Sequence, residues 1–147
     1  MKICFDMDGT IANLYGIENW LDYLIAKDSY PYENAKVMLN MNTLAKYLNR
    51  LQKKGFEIGI ISWLSKTTDS DYDKKVTLAK EKWLKKHLKS VNFDFVEIVS
   101  YGYAKENFCS SKKDILFDDE ERNRNNWTGK AFNEKEILTV LKNLLND

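Results

Sequence analysis

The chain has 147 residues, of which 44% are hydrophobic and 31% are charged, and this size and balance are typical of a single globular domain. Its 23 basic and 22 acidic residues leave a formal charge of +1, which argues against an extended nucleic-acid surface. No apolar run approaches the roughly 18 residues that cross a bilayer, and the two cysteines lack the spacing of a disulfide scaffold. We therefore expect one cytoplasmic domain over residues 1–147, without membrane contact.

The first predicted element is a buried strand over residues 2–5, because this short apolar run stops at the glycine turn DMDGT of residues 6–10. Residues 14–40 follow, and they combine several aromatic side chains with helix-like stretches around Pro31. We predict that this segment is a small helical insert that overhangs the end of the first strand. Most of its aromatic side chains are expected to pack within the insert.

The rest of the chain alternates between helix and strand patterns. Further strands are predicted over residues 56–62, 93–100, 115–117 and 130–132. Apolar residues at helical spacing predict helices around residues 44–51, 72–83 and 137–145, and the lysines of the second helix are expected on its solvent face. Strands that alternate with helices imply a mostly parallel α/β sheet, covered on both faces, with its ligand site beyond the carboxyl ends of the strands.

Two pairs of acidic residues follow predicted strands. Asp6 and Asp8 end the first strand, and Asp118 and Asp119 follow residues 115–117. If the two strands are parallel neighbours, these carboxylates share one edge of the sheet and repel strongly unless a cation neutralises them. Oxygen ligands without histidine favour Mg²⁺. The alternative is that each aspartate is a helix cap or turn residue, and it is the weaker explanation for two pairs that both follow apolar strands.

A site of this kind has a defined chemistry. A carboxylate beside Mg²⁺ can attack phosphorus in line and form an aspartyl-phosphate. A second acid two residues away can protonate the leaving oxygen and then deprotonate the water that hydrolyses the intermediate. The charge on the transferred group needs hydroxyl donors and a cation, for which the candidates are Ser62 and a lysine before residues 115–117.

Three segments resemble motifs of the haloacid dehalogenase (HAD) superfamily, in its phosphatase branch. Residues 5–10 (FDMDGT) resemble the first motif, residues 58–62 (IGIIS) the second, and residues 115–119 (ILFDD) the fourth. Their order and spacing cover nearly the whole chain. The resemblance implies a HAD-like Rossmannoid three-layer sandwich of class α/β, with a mostly parallel sheet and a small helical cap insert at about residues 14–40.

The resemblance also implies roles by position. Asp6 is the expected nucleophile and a metal ligand, and Asp8 is the expected general acid and base, which also offers its backbone carbonyl to the metal. Asp118 is expected to bind Mg²⁺, and Asp119 to bind it directly or through water. Ser62 is expected to hold the phosphoryl group.

The third motif of the superfamily is a lysine, and three lysines are candidates. Lys105, Lys112 and Lys113 all precede residues 115–117. We choose Lys105, because it occupies a plausible helix start from which it can point along the sheet edge. Lys112 and Lys113 lie so close to the strand that they are expected at its entrance, which is the wrong end.

Within the superfamily, the chain is most similar to 5′(3′)-deoxyribonucleotidase-like proteins. The shared features are the DMDGT start, a small helical insert after it, and an acidic pair followed by Asn123, then Trp127 and Gly129. This similarity implies a nucleotidase whose partner is a small phosphate ester, a nucleoside monophosphate. Thr10, Trp63 and Trp20 are the expected substrate contacts, with Trp20 or Tyr23 stacking on the base.

Two other functions remain open from the sequence. The same chemistry could act on another small phosphate, such as a sugar phosphate, or on a terminal phosphate of a nucleic acid. Alternatively, the chain could be a binding or regulatory module that keeps the fold without catalysis. The presence of Asp6, Asp8, Ser62 and Asp118 argues against the second of these.

Overall fold

The computed structural model describes residues 1–67 and 69–147. Within these residues the chain forms seven strands: β1 (Lys2–Phe5), β2 (Ala12–Asn13), β3 (Lys36–Val37), β4 (Glu57–Trp63), β5 (Phe95–Val99), β6 (Ile115–Phe117) and β7 (Lys130–Phe132). The helices of the described chain are α1 (Trp20–Ile25), α2 (Tyr30–Asn34), α3 (Met41–Lys53), α4 (Ser70–His87), α5 (Glu121–Asn126) and α6 (Ile137–Asn146). Among them, none combines the length and hydropathy that a bilayer-spanning segment requires.

The main sheet has five strands in the order β5-β4-β1-β6-β7, and every neighbouring pair runs parallel. The strands β2 and β3 form a separate antiparallel pair within the first forty residues. This architecture confirms the predicted α/β fold with a mostly parallel sheet. The predicted strands 2–5, 115–117 and 130–132 have the observed bounds, and β4 is displaced by one residue from the predicted range.

The three central strands β1, β4 and β6 are covered on both faces of the sheet, since consecutive side chains along them are buried. Ile3 and Phe5 of β1 belong to the large apolar cluster that includes residues of α3 and α6. Cys4, which lies between them, packs with Ile61, Leu116 and Trp127 in a separate cluster. β1 therefore lies at the centre of the molecule, and its carboxyl end leads directly into the acidic turn.

Local sequence signals account for the ends of the two long helices. The Asn40 side chain accepts a hydrogen bond from the Thr43 N–H at 3.0 Å and caps α3. Gly55 follows α3 with φ +99°, a conformation that glycine adopts without steric cost. The Asp69 side chain accepts from the N–H groups of Asp71 and Tyr72 and caps α4.

The insert is fastened to α4 by specific hydrogen bonds. Tyr72 Oη donates to the Asp28 carbonyl at 3.0 Å, and Trp83 Nε1 donates to the Ala35 carbonyl at 2.8 Å. Tyr32 of α2 packs with residues of α4 in a second apolar cluster. In contrast, α1 contains no buried residue. These contacts place the insert beside the carboxyl end of β1.

Candidate active site

Three carboxylates that follow two adjacent strands form the floor of the site. Asp6 comes directly after β1, and Asp118 and Asp119 come directly after β6. The two strands pair in parallel with Phe5 opposite Phe117, so their carboxyl ends open at the same edge of the sheet. One oxygen from each carboxylate lies within 4.8 Å of the other two. The structure therefore brings the two acidic stretches together at one point.

Lys105 lies between these carboxylates, with only 1% of its side chain exposed. Its Nζ atom donates to Asp6 Oδ1 at 2.9 Å and to Asp118 Oδ2 at 2.8 Å. Burial by itself lowers the pKa of Lys105, but the charges of Asp6 and Asp118 outweigh burial and raise this pKa above its usual value. The lysine is therefore a permanent cation inside the acidic cluster.

The other two lysines considered from the sequence lie elsewhere. Lys112 and Lys113 are exposed and precede β6, at the opposite end of that strand from Asp118. Lys105 begins the 3₁₀ helix Lys105–Phe108 and lies at the carboxyl end of the sheet, where its Nζ atom reaches Asp6. Of the three candidates, Lys105 is the one that the structure places against the carboxylates.

Thr10 lies beneath the carboxylates rather than at the surface of the cavity. Its side chain is fully buried, and its Oγ1 atom lies 2.9 Å from Asp6 Oδ2 and 3.1 Å from Asp119 Oδ1. The same oxygen accepts a hydrogen bond from the Asp119 N–H at 3.1 Å. The sequence predicted that Thr10 contacts the substrate. In the structure, the side chains of Asp6 and Asp119 cover its hydroxyl, so Thr10 supports both carboxylates.

The turn also depends on Gly9. This residue has φ +81°, and a Cβ atom added to it would collide with the carboxylate of Asp119. Its N–H donates to the Ala12 carbonyl at 2.8 Å, which closes the turn between the acidic residues and the insert. A larger residue at this position would therefore displace one of the three clustered carboxylates.

The chemistry of the cluster fits a hard divalent cation. Burial, followed by the charge of Asp6, raises the pKa of Asp118 to about 6 and the pKa of Asp119 to about 8. Carboxylates this close repel one another, and a single lysine neutralises only part of their charge. Each donor is a carboxylate oxygen, which is the ligand type that Mg²⁺ prefers.

The carboxylate of Asp8 lies outside this group of three and pairs with Lys80 of α4. Lys80 Nζ donates to Asp8 Oδ2 at 2.9 Å, and the two side chains are 1% and 15% exposed, respectively. Burial raises the pKa of Asp8, and the charge of Lys80 opposes part of this rise. The carboxylate of Asp8 is therefore held by a cation other than Lys105.

Lys80 corrects the expectation that the lysines of this helix face solvent. The residue is fully buried, and its ammonium group also donates to Ser62 Oγ at 2.7 Å and to the Trp63 carbonyl at 2.6 Å. A signal for this placement was present in the sequence, because position 80 lies four residues after Val76 and three before Trp83. It therefore falls on the buried face of the helix.

Ser62 is the residue that the sequence predicted to hold the phosphoryl group. Its side chain is fully buried at the end of β4, and its hydroxyl oxygen accepts the hydrogen bond from Lys80. The neighbouring hydroxyls of Ser65 and Thr67 line the cavity instead, and they lie 2.7 Å apart. Ser62 thus contacts Lys80, the residue that also binds the carboxylate of Asp8.

A cavity of about 450 Å³ opens above the carboxylates. Asp6, Asp8, Lys105, Asp118 and Asp119 form its polar floor. Most of the remaining wall is apolar or aromatic, and the insert contributes much of it through Leu14, Tyr15, Trp20, Leu21, Leu24, Ile25 and Tyr32. The site therefore combines a charged floor with walls suited to an apolar or flat group.

Two of the predicted substrate contacts line this cavity. Trp20 stands on the insert side, with its ring 4.9 Å from that of Tyr15 in an edge-to-face arrangement. Trp63 lines the cavity from the end of β4, and its indole N–H donates to the Tyr103 carbonyl at 2.8 Å. Tyr23, the alternative stacking residue, instead packs against the ring of Tyr30.

Comparison with known proteins identifies the fold. No protein-family model and no curated protein sequence matches the chain. Among solved structures, D,D-heptose 1,7-bisphosphate phosphatase from Burkholderia thailandensis is similar over 99% of both chains, with a TM-score of 0.60 and 9% identity. The chain has a HAD-like fold. A chain of the Pnkp1/Rnl/Hen1 complex is also similar, with a TM-score of 0.54 and 18% identity; the match covers 90% of this chain but only 44% of that one.

Proposed function

We propose that this protein is a Mg²⁺-dependent phosphomonoester hydrolase in which Asp6 is the nucleophile. The observation that carries the proposal is the cluster of Asp6, Asp118 and Asp119 around the buried Lys105, at the floor of a cavity. Such a cluster offers a carboxylate nucleophile, oxygen ligands for a metal ion, and a fixed positive charge for the phosphoryl group.

The reaction has two chemical steps. First, an oxygen of Asp6 bonds to phosphorus as the bond between phosphorus and the leaving oxygen breaks, and Asp8 gives a proton to that oxygen. Second, water attacks the aspartyl-phosphate as Asp8 takes its proton, and the bond between phosphorus and Asp6 breaks. The products are an alcohol and inorganic phosphate, and both aspartates return to their initial states.

Mg²⁺ is the proposed cofactor. The carboxylates of Asp6, Asp118 and Asp119 would hold it, Asp119 directly or through water, together with the backbone carbonyl of Asp8. When bound, the ion supplies charge neutralisation at the phosphoryl oxygens. Lys105 restrains Asp6 and Asp118 through its two hydrogen bonds, and Thr10 restrains Asp6 and Asp119 from below.

A nucleoside monophosphate is the proposed substrate, as in 5′(3′)-deoxyribonucleotidase-like proteins. The cavity falls within the range of about 300–1,000 Å³ that is typical of small-molecule sites. Trp20 and Trp63 both line the cavity and are the aromatic side chains proposed to stack on the base. We assign this stacking contact to the leaving group, and the charged floor is proposed to bind the phosphate.

The test is a phosphate-release assay on a substrate panel with and without Mg²⁺. The panel contains deoxynucleoside monophosphates, sugar phosphates and oligonucleotides that end in a phosphate. We expect release from the deoxynucleotides that depends on Mg²⁺ and stops when a chelator removes it, because the carboxylate cluster otherwise repels the phosphate.

The panel separates the possible outcomes. Activity confined to sugar phosphates or to oligonucleotide ends would retain the chemistry and refute the nucleotide substrate. Equal release with and without the metal would refute the metal requirement. Inactivity on every substrate would favour the alternative of a non-catalytic binding module.

A further inference from the structure

Lys80 is a buried cation without a part in the reaction as described so far. Its side chain is 1% exposed, and its ammonium group lies 5.2 Å from the centre of the Tyr32 ring. The three N–H donors of a lysine match the three acceptors found around it, namely Asp8 Oδ2, Ser62 Oγ and the Trp63 carbonyl. A buried charge is costly unless it is paired and fully hydrogen-bonded, and this one is both.

The three acceptors belong to two different parts of the site. Asp8 lies in the turn after β1, whereas Ser62 and Trp63 end β4, and Lys80 reaches both from α4. The two acceptors on β4 fix the ammonium group relative to the sheet. The ammonium group in turn fixes one oxygen of Asp8 and leaves the other carboxylate oxygen, Oδ1, for the cavity that Asp8 lines.

We propose that Lys80 is a positioning residue that holds the Asp8 carboxylate in the orientation required for proton transfer, with Ser62 and the Trp63 carbonyl as its anchors. This inference rests on the proposed function, in which Asp8 exchanges a proton with the leaving oxygen and then with water. The pairing also stabilises the carboxylate that Asp8 becomes after the first transfer, until the water proton restores it.

The proposal makes a prediction that depends on the leaving group. A basic leaving oxygen needs a proton from Asp8, whereas a weakly basic one departs with little assistance. Loss of Lys80 should therefore slow a substrate with a basic leaving group more than one with a good leaving group. A purely structural role for Lys80 would lower both rates by the same factor.

The experiment compares kcat/KM for phenyl phosphate and p-nitrophenyl phosphate in wild type and Lys80→Met. We expect kcat/KM of the variant to fall about 100-fold on phenyl phosphate and less than about 10-fold on p-nitrophenyl phosphate. General acid catalysis typically accelerates a reaction by about 10²- to 10⁴-fold. Asp8→Asn should show the same selectivity. Adding Lys80→Met to the Asp8→Asn variant should lower kcat/KM much less than Lys80→Met does in wild type, because both changes impair the same proton transfer.

The controls use the same helix and the same site. Lys82→Met removes an exposed lysine two positions away and should change both rates by less than about twofold. If Lys80→Met does not fold, Lys80→Gln keeps N–H donors without the charge, and it should lose more activity on phenyl phosphate than on p-nitrophenyl phosphate. If Lys80→Met lowered kcat/KM equally on the two substrates, or if its effect added fully to that of Asp8→Asn, the proposed role of Lys80 would be overturned. The proposed function itself would stand. Inactivity of the wild type on these two substrates and on every phosphate ester of the substrate panel would overturn the proposed function as well.

Discussion

Replacing Asp6 with asparagine should abolish phosphate release, with a loss in kcat of at least about 10⁴-fold, since loss of the nucleophile removes the aspartyl-phosphate route. The change also removes one of the three clustered carboxylates that would hold the metal ion. Mg²⁺ should therefore raise the melting temperature of the variant less than that of wild type. Phosphate release and thermal unfolding, each with and without Mg²⁺, measure both effects.

Asp114→Asn is the matched control for this prediction. Asp114 is another buried aspartate, but it precedes β6 and so lies at the end of that strand opposite Asp118. Its carboxylate accepts hydrogen bonds from the N–H groups of Lys2, Ser110 and Ser111. The control should lower stability by about 1–3 kcal/mol and leave turnover intact. Full turnover in Asp6→Asn would eliminate Asp6 as the nucleophile.

Replacing Lys105 with methionine should have the second largest effect, because it removes the buried cation shared by Asp6 and Asp118. Breaking a buried ion pair in this way costs about 3–5 kcal/mol, so the metal-free variant should unfold at a clearly lower temperature. Mg²⁺ should restore part of that stability by neutralising the carboxylates. Turnover should fall by about 10²- to 10³-fold, as expected when one charge-stabilising group is lost.

Lys112→Met and Lys113→Met provide the controls, since both lysines precede the same strand and are exposed. Each should keep wild-type turnover and a stability within about 0.5 kcal/mol of wild type. If either control lost as much activity as Lys105→Met, or if Lys105→Met retained full activity, the assignment of Lys105 would be wrong.

The sequence predicted the sheet well because its strands are short apolar runs with clear ends. Residues 115–117 and 130–132 were found at their observed bounds, since each is flanked by charged or turn-forming residues. For the insert, the sequence predicted the position along the chain but not the pairing of β2 with β3. The pairing of β2 with β3 joins residues more than twenty positions apart, and a two-residue strand has no periodicity from which to predict it.

The carboxylates could be predicted because strand ends determine where they emerge, and Lys105 could be chosen from its place before β6. Lys80 was assigned to the solvent face together with its neighbours, since most lysines of α4 are exposed, although its spacing from Val76 and Trp83 places it on the buried face. Ser62 and Thr10 were expected to face the substrate. Whether a small hydroxyl faces a cavity or a buried neighbour depends on tertiary contacts, here with Lys80 and with Asp119.

The most direct measurement is a crystal structure of the protein soaked with Mg²⁺ and beryllofluoride, a mimic of a phosphoryl group on a carboxylate. We predict that the mimic binds an oxygen of Asp6, with the metal ion between Asp6 and Asp118. Asp119 should lie in the first or second coordination shell of that ion. A mimic attached elsewhere, or a cluster that takes up neither the ion nor the mimic, would contradict the proposal that these carboxylates form a phosphoryl-transfer site.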